Sequence, residues 1–579
     1  MTVAARPKTS PPVSIAVTGS GGTGVMTAGN MLLEAAALAG CYGFMGRTSG
    51  PQIRGGEAAA LIRLASGPVE GYADCFDLLI SVDWLNLERL TAEIQLGANA
   101  IVIGDPSQGE PPASIMVPGI RRLALPMKDM AKKIPGGRPN MVALGYVACL
   151  IGLPEAAVAD AVQRTLGAES DRLAASLAAI KAGRIAASAV DYPHKLVPDL
   201  AHRDERWLMT GNEAAGYGAL KGGVRFVAAY PITPATEMLE WMSPALTEIG
   251  GVLVQAEDEL ASINMAIGAS YGGTPALTAT SGPGLSLMME SLGLAVAAEV
   301  PIVVVDVMRA GPSTGIPTKM EQSDLNIALY GQHGDAPHVV VAPNSVADCL
   351  ATTQWAVHLA EAMQVPVVVL SDQLMGQTRM VIDPPPDRGF VGERQLAAAN
   401  GEAYRRYALT PSGISPMAIP GMAGLMYTAD GLEHSERGTP SSQAKDHLAQ
   451  LDKRERKLHA VDFGPHWADI EGEGEIAVLT WGSCTGAVRE AIARARDQGI
   501  AVKLVSLRLL LPAQPDRLAA ALAGVKRVLV VEQTHSGQFH RYLRAEHTLA
   551  AELKSMRRPG PLPMRPGDIR DELVRWSRP

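Results

Sequence analysis

The sequence predicts an α/β protein built as three α/β domains in series. Three observations carry that expectation. The chain has 579 residues, too many for one hydrophobic core. Short apolar runs alternate with Ala/Leu-rich stretches long enough for helices, the pattern of buried parallel strands joined by crossover helices. Aromatic residues make up only 4% of the chain against 47% apolar residues and 59 glycines, so the layers must pack through small aliphatic side chains.

Composition also excludes whole classes of function. The net charge of −8 and the scarcity of aromatics argue against nucleic-acid binding, which needs a positive footprint and stacking platforms. The five cysteines, Cys41, Cys75, Cys149, Cys349 and Cys484, are scattered without CxxC spacing. A disulfide framework, a zinc site or an iron–sulfur cluster is therefore not expected within this chain. No apolar run reaches the roughly 18 residues of a membrane span, and no signal-type segment follows the first residues. A cytoplasmic location is expected.

In chain order, residues 1–12 are a Pro/Ser/Thr-rich tail. The first domain, 13–190, opens with strand Val13–Thr18, a glycine loop and a helix to about Gly40. Strands at Asp77–Val82 and Ala100–Gly104 follow, then helices at Met141–Ile151 and Asp171–Ala182. Residues 191–207, with prolines and mixed charges, are the linker. The second domain, 208–385, carries strands Phe226–Ala229, Val252–Gln255, Ala276–Ala279, Ile302–Val307 and Val365–Leu370, all expected to be buried and parallel. A Gly/Pro-punctuated connecting segment, 386–470, contains a charged helix, Leu448–Leu458, expected to be exposed. The third domain, 471–556, repeats the strand–helix alternation from Ile476–Trp481 onward, and 557–579 is a Pro/Arg-rich tail expected to be loose.

The motifs sit at the strand ends. Gly19-x-Gly21-x-x-Gly24 follows a strand and opens a helix, as in a dinucleotide site. The acid that should grip the ribose is missing from Cys41–Arg47. An anion loop or a packing turn remains, and the structural reading is adopted. Tyr230-Pro231-Ile232-Thr233-Pro234 holds Thr233 between two prolines, either to offer its hydroxyl or to cap a helix beginning at Pro234. Glu257, Asp258 and Glu259 form either a dipole-favoured cluster at a helix start or a carboxylate aimed at a ligand nitrogen. Arg309 ends an apolar strand, ready to clamp a substrate carboxylate or to form a structural ion pair with Asp306 or a neighbouring acid. Ser313 and Thr314 open a polar loop running to Lys319, longer than a fold alone requires.

The order of these motifs resembles the α subunit of the 2-oxoacid:ferredoxin oxidoreductases in the form with an N-terminally fused γ domain. The resemblance rests on Tyr230–Pro234, Gln255–Glu259, Thr280–Gly284, Arg309–Thr318, Asp430–Gly438, Glu532-Gln533 with Gly537-Gln538, and the glycine loop with Arg54-Gly55-Gly56. It implies a γ-type first domain, a pyrimidine-type thiamine-diphosphate-binding second domain and a transketolase C-terminal-like third domain. It implies oxidative decarboxylation of a 2-oxo acid with coenzyme A and ferredoxin, 2-oxoglutarate giving succinyl-CoA being placed first. Pyruvate or branched-chain oxo acids are the alternatives, with a nicotinamide-dependent dehydrogenase and a non-catalytic partner further behind.

In the family a glutamate bonds the cofactor's aminopyrimidine. The match of Leu-Ala-Ser-Ile at 260–263 to other thiamine enzymes places Glu257 ahead of Glu259 for that role. Tyr230, Pro231 and Ile232 are carried over as cofactor contacts, and Thr233, Arg309, Ser313 and Thr314 as substrate contacts. No Gly-Asp-Gly with a following Asn is present, so Mg2+ and a [4Fe-4S] cluster are expected on a separate β subunit that shares the thiamine diphosphate.

Overall fold

The computed structural model describes residues 11–50, 56–85, 87–168, 171–199 and 205–577. Residues 1–10 and the Arg54-Gly55 portion of the basic segment lie outside them. The chain divides into two compact units, one of Met1–Thr210, Gln377–Pro384 and Met564–Ile569, the other of the remainder.

The first unit is built on one eight-stranded sheet. Its strands are β1 (Val13–Ser20), β2 (Tyr42–Ser49), β3 (Glu57–Ala65), β4 (Phe76–Ser81), β5 (Leu96–Gly104), β6 (Arg121–Ala124), β7 (Trp207–Thr210) and β14 (Arg379–Ile382). They stand in the order β6-β5-β4-β1-β3-β2-β14-β7. β1, β4, β5 and β6 run parallel, while β2, β3, β7 and β14 pair antiparallel. Helix Val25–Leu38 and the strongly apolar helix Pro139–Leu150 bury their faces in the same core as β1 and β4.

This mixed topology revises the domain boundaries. Trp207–Thr210, read from sequence as the end of the linker and the start of the second domain, and Arg379–Ile382, read as part of the second domain, are strands of the first sheet. Both are four residues long, and so short a run carries too little periodicity to declare its sheet. The strand next to β1 on its far side is the antiparallel β3, where a dinucleotide fold would have a parallel one. The glycines of the loop have local reasons. Gly24 sits at φ 83 where a Cβ would lie 2.3 Å from the Asn140 amide nitrogen. A Cβ on Gly19 would stand 2.8 Å from the Thr23 hydroxyl.

The second unit holds two sheets. The seven-stranded one has the order β18-β12-β13-β11-β10-β8-β9. Its members are β8 (Phe226–Ala229), β9 (Val252–Gln255), β10 (Ala276–Thr280), β11 (Ile302–Met308), β12 (Val339–Val341), β13 (Pro366–Asp372) and the antiparallel β18 (Leu509–Leu511). The other six are mutually parallel, so every loop after a strand opens on one edge. β10, β11, β12 and β13 are buried on both faces, as expected of Val-rich runs covered by helices. β9 is different. It is the sheet's outer strand and Val252 is exposed, where a buried strand was expected.

The third sheet has the order β15-β17-β16-β19-β20, with β15 (Ala468–Glu471), β16 (Ile476–Trp481), β17 (Val502–Leu507), β19 (Arg527–Glu532) and β20 (Glu552–Arg557). Two further expectations change here. The tail beyond β20 is not loose, since Pro566–Ser577 is a helix. The charged helix of the connecting segment spans Ala444–His459, and Gln450, Lys453, Arg454 and Lys457 on it are buried rather than exposed. The buried lysines are four apart and share a face, which meets Glu299 instead of water.

Candidate active site

Four strand-to-helix loops of the seven-stranded sheet meet at its C-terminal edge. The Glu259–Tyr271 helix begins directly after β9 because Asp258 caps it: its carboxylate accepts from the Ala261 amide at 2.7 Å. The cap divides the carboxylates. Glu257, just before it, is exposed. Glu259, at the first helical position, is buried with 8% of its surface accessible.

Thr280-Ser281-Gly282-Pro283-Gly284 explains that burial. A Cβ on Gly284 would stand 2.0 Å from the Thr280 hydroxyl oxygen, 2.6 Å from the Glu259 Cγ and 3.0 Å from a Glu259 carboxylate oxygen. The glycine therefore makes the space in which the Glu259 carboxyl lies. Gly284→Ala is expected to overpack this contact and destabilise the chain by about 1–3 kcal/mol. Urea unfolding followed by circular dichroism checks the value. A substitution without effect would mean that Glu259 moves aside freely.

Arg309 leaves the end of β11 with only 6% exposure. Its Nη1 donates to the Thr233 carbonyl at 2.6 Å, tying the Tyr230–Pro234 loop to β11. Burial pulls its pKa down, while Asp324 and Glu259 nearby push it back up. The ion pair with Asp306 considered from sequence does not form, because both Asp306 oxygens lack a hydrogen-bond partner. Thr233 does not cap a helix either. That helix starts at Thr236, behind Ala235, without a side-chain cap. The Thr233 side chain is exposed, as is Tyr230, while Pro231 and Ile232 are half-buried.

The loop after Arg309 is closed at its base, where the Ile316 amide donates to the Ala310 carbonyl at 2.8 Å and the Ala310 amide to the Lys319 carbonyl at 3.0 Å. Ser313 and Thr314 are exposed at its tip. Of the residues singled out from sequence, the structure thus gathers Thr233, Glu259 and Arg309. Glu257, Ser313 and Thr314 are exposed, as is Thr233, and the cap at Asp258 sets which of Glu257 and Glu259 is buried. Asp324 was not picked out, since an aspartate before a short helix has no distinguishing signal.

His434 is buried, stacked on Tyr407 at 3.6 Å, and 3.1 Å from the Ala297 carbonyl.

Comparison with known proteins decides the family. Three family models match in series: pyruvate ferredoxin/flavodoxin oxidoreductase over residues 14–186, its thiamine-diphosphate-binding domain over 217–453, and pyruvate:ferredoxin oxidoreductase core domain II over 474–558. A 2-oxoacid:ferredoxin oxidoreductase subunit alpha from Sulfolobus sp. is 30% identical over 584 residues, covering 91% of each chain. The chain belongs to the α-subunit family of the 2-oxoacid:ferredoxin oxidoreductases.

Other members agree. The 2-oxoglutarate synthase subunit KorA of Methanothermobacter marburgensis is 34% identical over 64% of this chain and 99% of its own. The solved 2-oxoglutarate:ferredoxin oxidoreductase from Magnetococcus marinus superposes with a TM-score of 0.91 at 36% identity, over 97% of this chain and 99% of that one. This oxidoreductase subunit therefore has three α/β domains, the second of them thiamine-diphosphate-binding, and its subunit class implies a partner chain. Among the described residues no helix is long and apolar enough to cross a membrane.

Proposed function

We propose that this chain, with a γ-type first domain fused to the α portion, works with a separate β subunit to oxidise 2-oxoglutarate to succinyl-CoA, passing electrons to ferredoxin. The observation that carries the reading is the placing of a buried carboxylate, Glu259, near enough to a buried guanidinium, Arg309, to raise its pKa against the pull of burial, at the open edge of a parallel sheet. The names of the relatives support the oxo acid, and that of the Magnetococcus enzyme includes bound 2-oxoglutarate, coenzyme A and succinyl-CoA.

The residues present fit one end of thiamine diphosphate. Glu259 supplies the carboxylate that an aminopyrimidine needs, and Tyr230, Pro231 and Ile232 stand on the loop tied to Arg309. For the diphosphate end, no group of three metal-ligating side chains occurs among the described residues, and all five cysteines are free and dispersed. Mg2+ and the iron–sulfur cluster are assigned to the β subunit on the sequence ground that no Gly-Asp-Gly with a following Asn is present here. When bound, the cofactor supplies the stabilisation of negative charge that decarboxylation requires.

The chain's own part is as follows. Glu259, or Glu257 on the exposed side of the same cap, holds and moves a proton at the pyrimidine ring nitrogen. Arg309 pairs with the carboxylate next to the keto group, and the Thr233 hydroxyl orients the carbonyl. Ser313 and Thr314, on their exposed loop, are substrate contacts, and the donor for the distal carboxylate of 2-oxoglutarate is Lys319 or a residue of the β subunit.

The test is co-expression with the β subunit and a screen of 2-oxo acids with coenzyme A and a one-electron acceptor. The highest kcat/KM is expected for 2-oxoglutarate, and no turnover for the isolated chain. Arg309→Lys is expected to raise KM by about ten- to a hundred-fold, the worth of a lost charged bidentate contact. A preference for pyruvate, or turnover without the β subunit, overturns the corresponding part.

A further inference from the structure

Asp306 is the one charged residue of β11 and is fully buried. It stands beside Thr280 of β10 in the parallel register. Neither of its carboxyl oxygens meets a hydrogen-bond donor. Its neighbour is a second carboxyl, Asp324, which comes within hydrogen-bonding reach and whose Oδ2 is also buried without a donor. Room for it is made by Gly282, where a Cβ would stand 2.6 Å and 2.7 Å from the two Asp324 oxygens.

Two buried carboxyls in contact cannot both ionise. Burial and each other's presence push Asp306 well above the carboxylate range, and burial raises Asp324 to about 7. The other charges around the pair are few. Arg309 faces Asp324 from the end of β11, and Glu321 faces it from the same loop. His535 faces Glu321 in turn, and Glu259 reaches Arg309 from its own helix.

We propose that Asp306 and Asp324 form a carboxyl pair that passes from neutral to a single shared proton and, as positioning residues, sets how much of the Arg309 charge is left for a substrate carboxylate. The proposal rests on the 2-oxo acid reading above and names residues beyond those that touch substrate. With the pair neutral, Arg309 keeps its full attraction for the incoming anion. When the pair carries one negative charge, Asp324 competes for the guanidinium.

The sign of the pH effect follows. As pH rises through about 7, Asp324 releases its proton while Asp306 keeps its own. KM for the 2-oxo acid is then expected to rise by about five-fold, with kcat little changed. The two amide variants move in opposite directions. Asp324→Asn leaves no charge to develop, so KM stays at its acid-side value at every pH. Asp306→Asn places an amide donor against Asp324 and favours its ionised form, so KM is already high on the acid side.

The experiment measures KM and kcat of the assembled enzyme against pH for wild type and both variants. In parallel, infrared difference spectra of the full chain at about pH 8 look for a protonated buried carboxyl, expected in wild type and lost in Asp306→Asn. Parallel KM profiles in all three proteins, or no protonated carboxyl in wild type, overturn the proposal. If one variant fails to fold, the wild-type spectrum and the other variant still decide it. Failure of wild type to turn over any 2-oxo acid overturns the functional reading instead, and the spectra then report separately on the shared proton.

Discussion

Glu259→Gln in the assembled enzyme is expected to lower kcat for 2-oxo acid oxidation by about a hundred- to ten-thousand-fold, the span of a lost positioned acid–base group. On the reading that Glu259 carries the proton, Glu257→Gln is expected to leave kcat within about three-fold. The contrast follows from the helix cap. Asp258 spends its carboxylate on the Ala261 amide, which turns the residue before it outward and the residue after it into the space left by Gly284. The glutamine keeps the shape of that space while giving up the ability to hold a proton in two states. Steady-state reduction of a one-electron acceptor measures both variants. Equal losses in the two, or a loss confined to Glu257→Gln, would place the chemistry on the other side of the cap.

Glu299→Gln is expected to cost about 3–5 kcal/mol of stability, the range for breaking a buried ion pair from one side. Glu299 is wholly buried and pairs with both Lys453 and Lys457 of the Ala444–His459 helix. Arg406 donates to the Glu299 carbonyl at 2.7 Å, and the Ser415 hydroxyl, 3.1 Å from Lys453 Nζ, completes the cluster. Removing the one carboxylate leaves two ammonium groups and a guanidinium among themselves, without water.

The pH dependence has a definite sign. Burial by itself would raise the Glu299 carboxyl, but Lys457, Lys453 and Arg406 outweigh it and hold the group well below the usual carboxylate range. Its contribution is therefore complete above the unfolded value of about 4.3 and is lost as pH falls below it. Burial pulls Lys453 down to about 8 and Lys457 to about 7, with Glu299 opposing in both cases. Their charged forms cost stability at neutral pH, and that cost is relieved as pH rises towards the unfolded value of about 10.4. In the variant the acid-side loss should shrink and the alkaline-side gain should steepen. Urea midpoints across the pH range read both limbs, and a variant curve parallel to wild type would refute the arrangement.

The two carboxylate clusters show how far a sequence reaches. Around the site, chemistry-bearing residues lie at strand ends, and strand ends are legible as the points where Val-rich runs meet Gly, Pro and Ser. Thr233, Glu259 and Arg309 were all found that way. Which of Glu257 and Glu259 is buried was not, because two residues apart at a helix start differ only in which way the cap turns them. Asp306 was visible as the odd residue in an apolar strand, but its partner Asp324 lies 18 positions on, across a loop. The Ala444–His459 helix was located from its charges and then assigned to solvent, since charge in a helix ordinarily marks the wet face.

What the amino-acid order determined by itself was local: the alternation of strands and helices, the three α/β domains, and the motif series that marks the family. Each depends on neighbours within a turn or two, where period and turn chemistry act directly. Tertiary structure alone decided which carboxylate is buried, which two acids share a space, that β7 and β14 complete the first sheet, and that two lysines meet Glu299. Those outcomes depend on desolvation and on pairing between residues far apart in the chain, and burial is a property of the folded surroundings rather than of the residue.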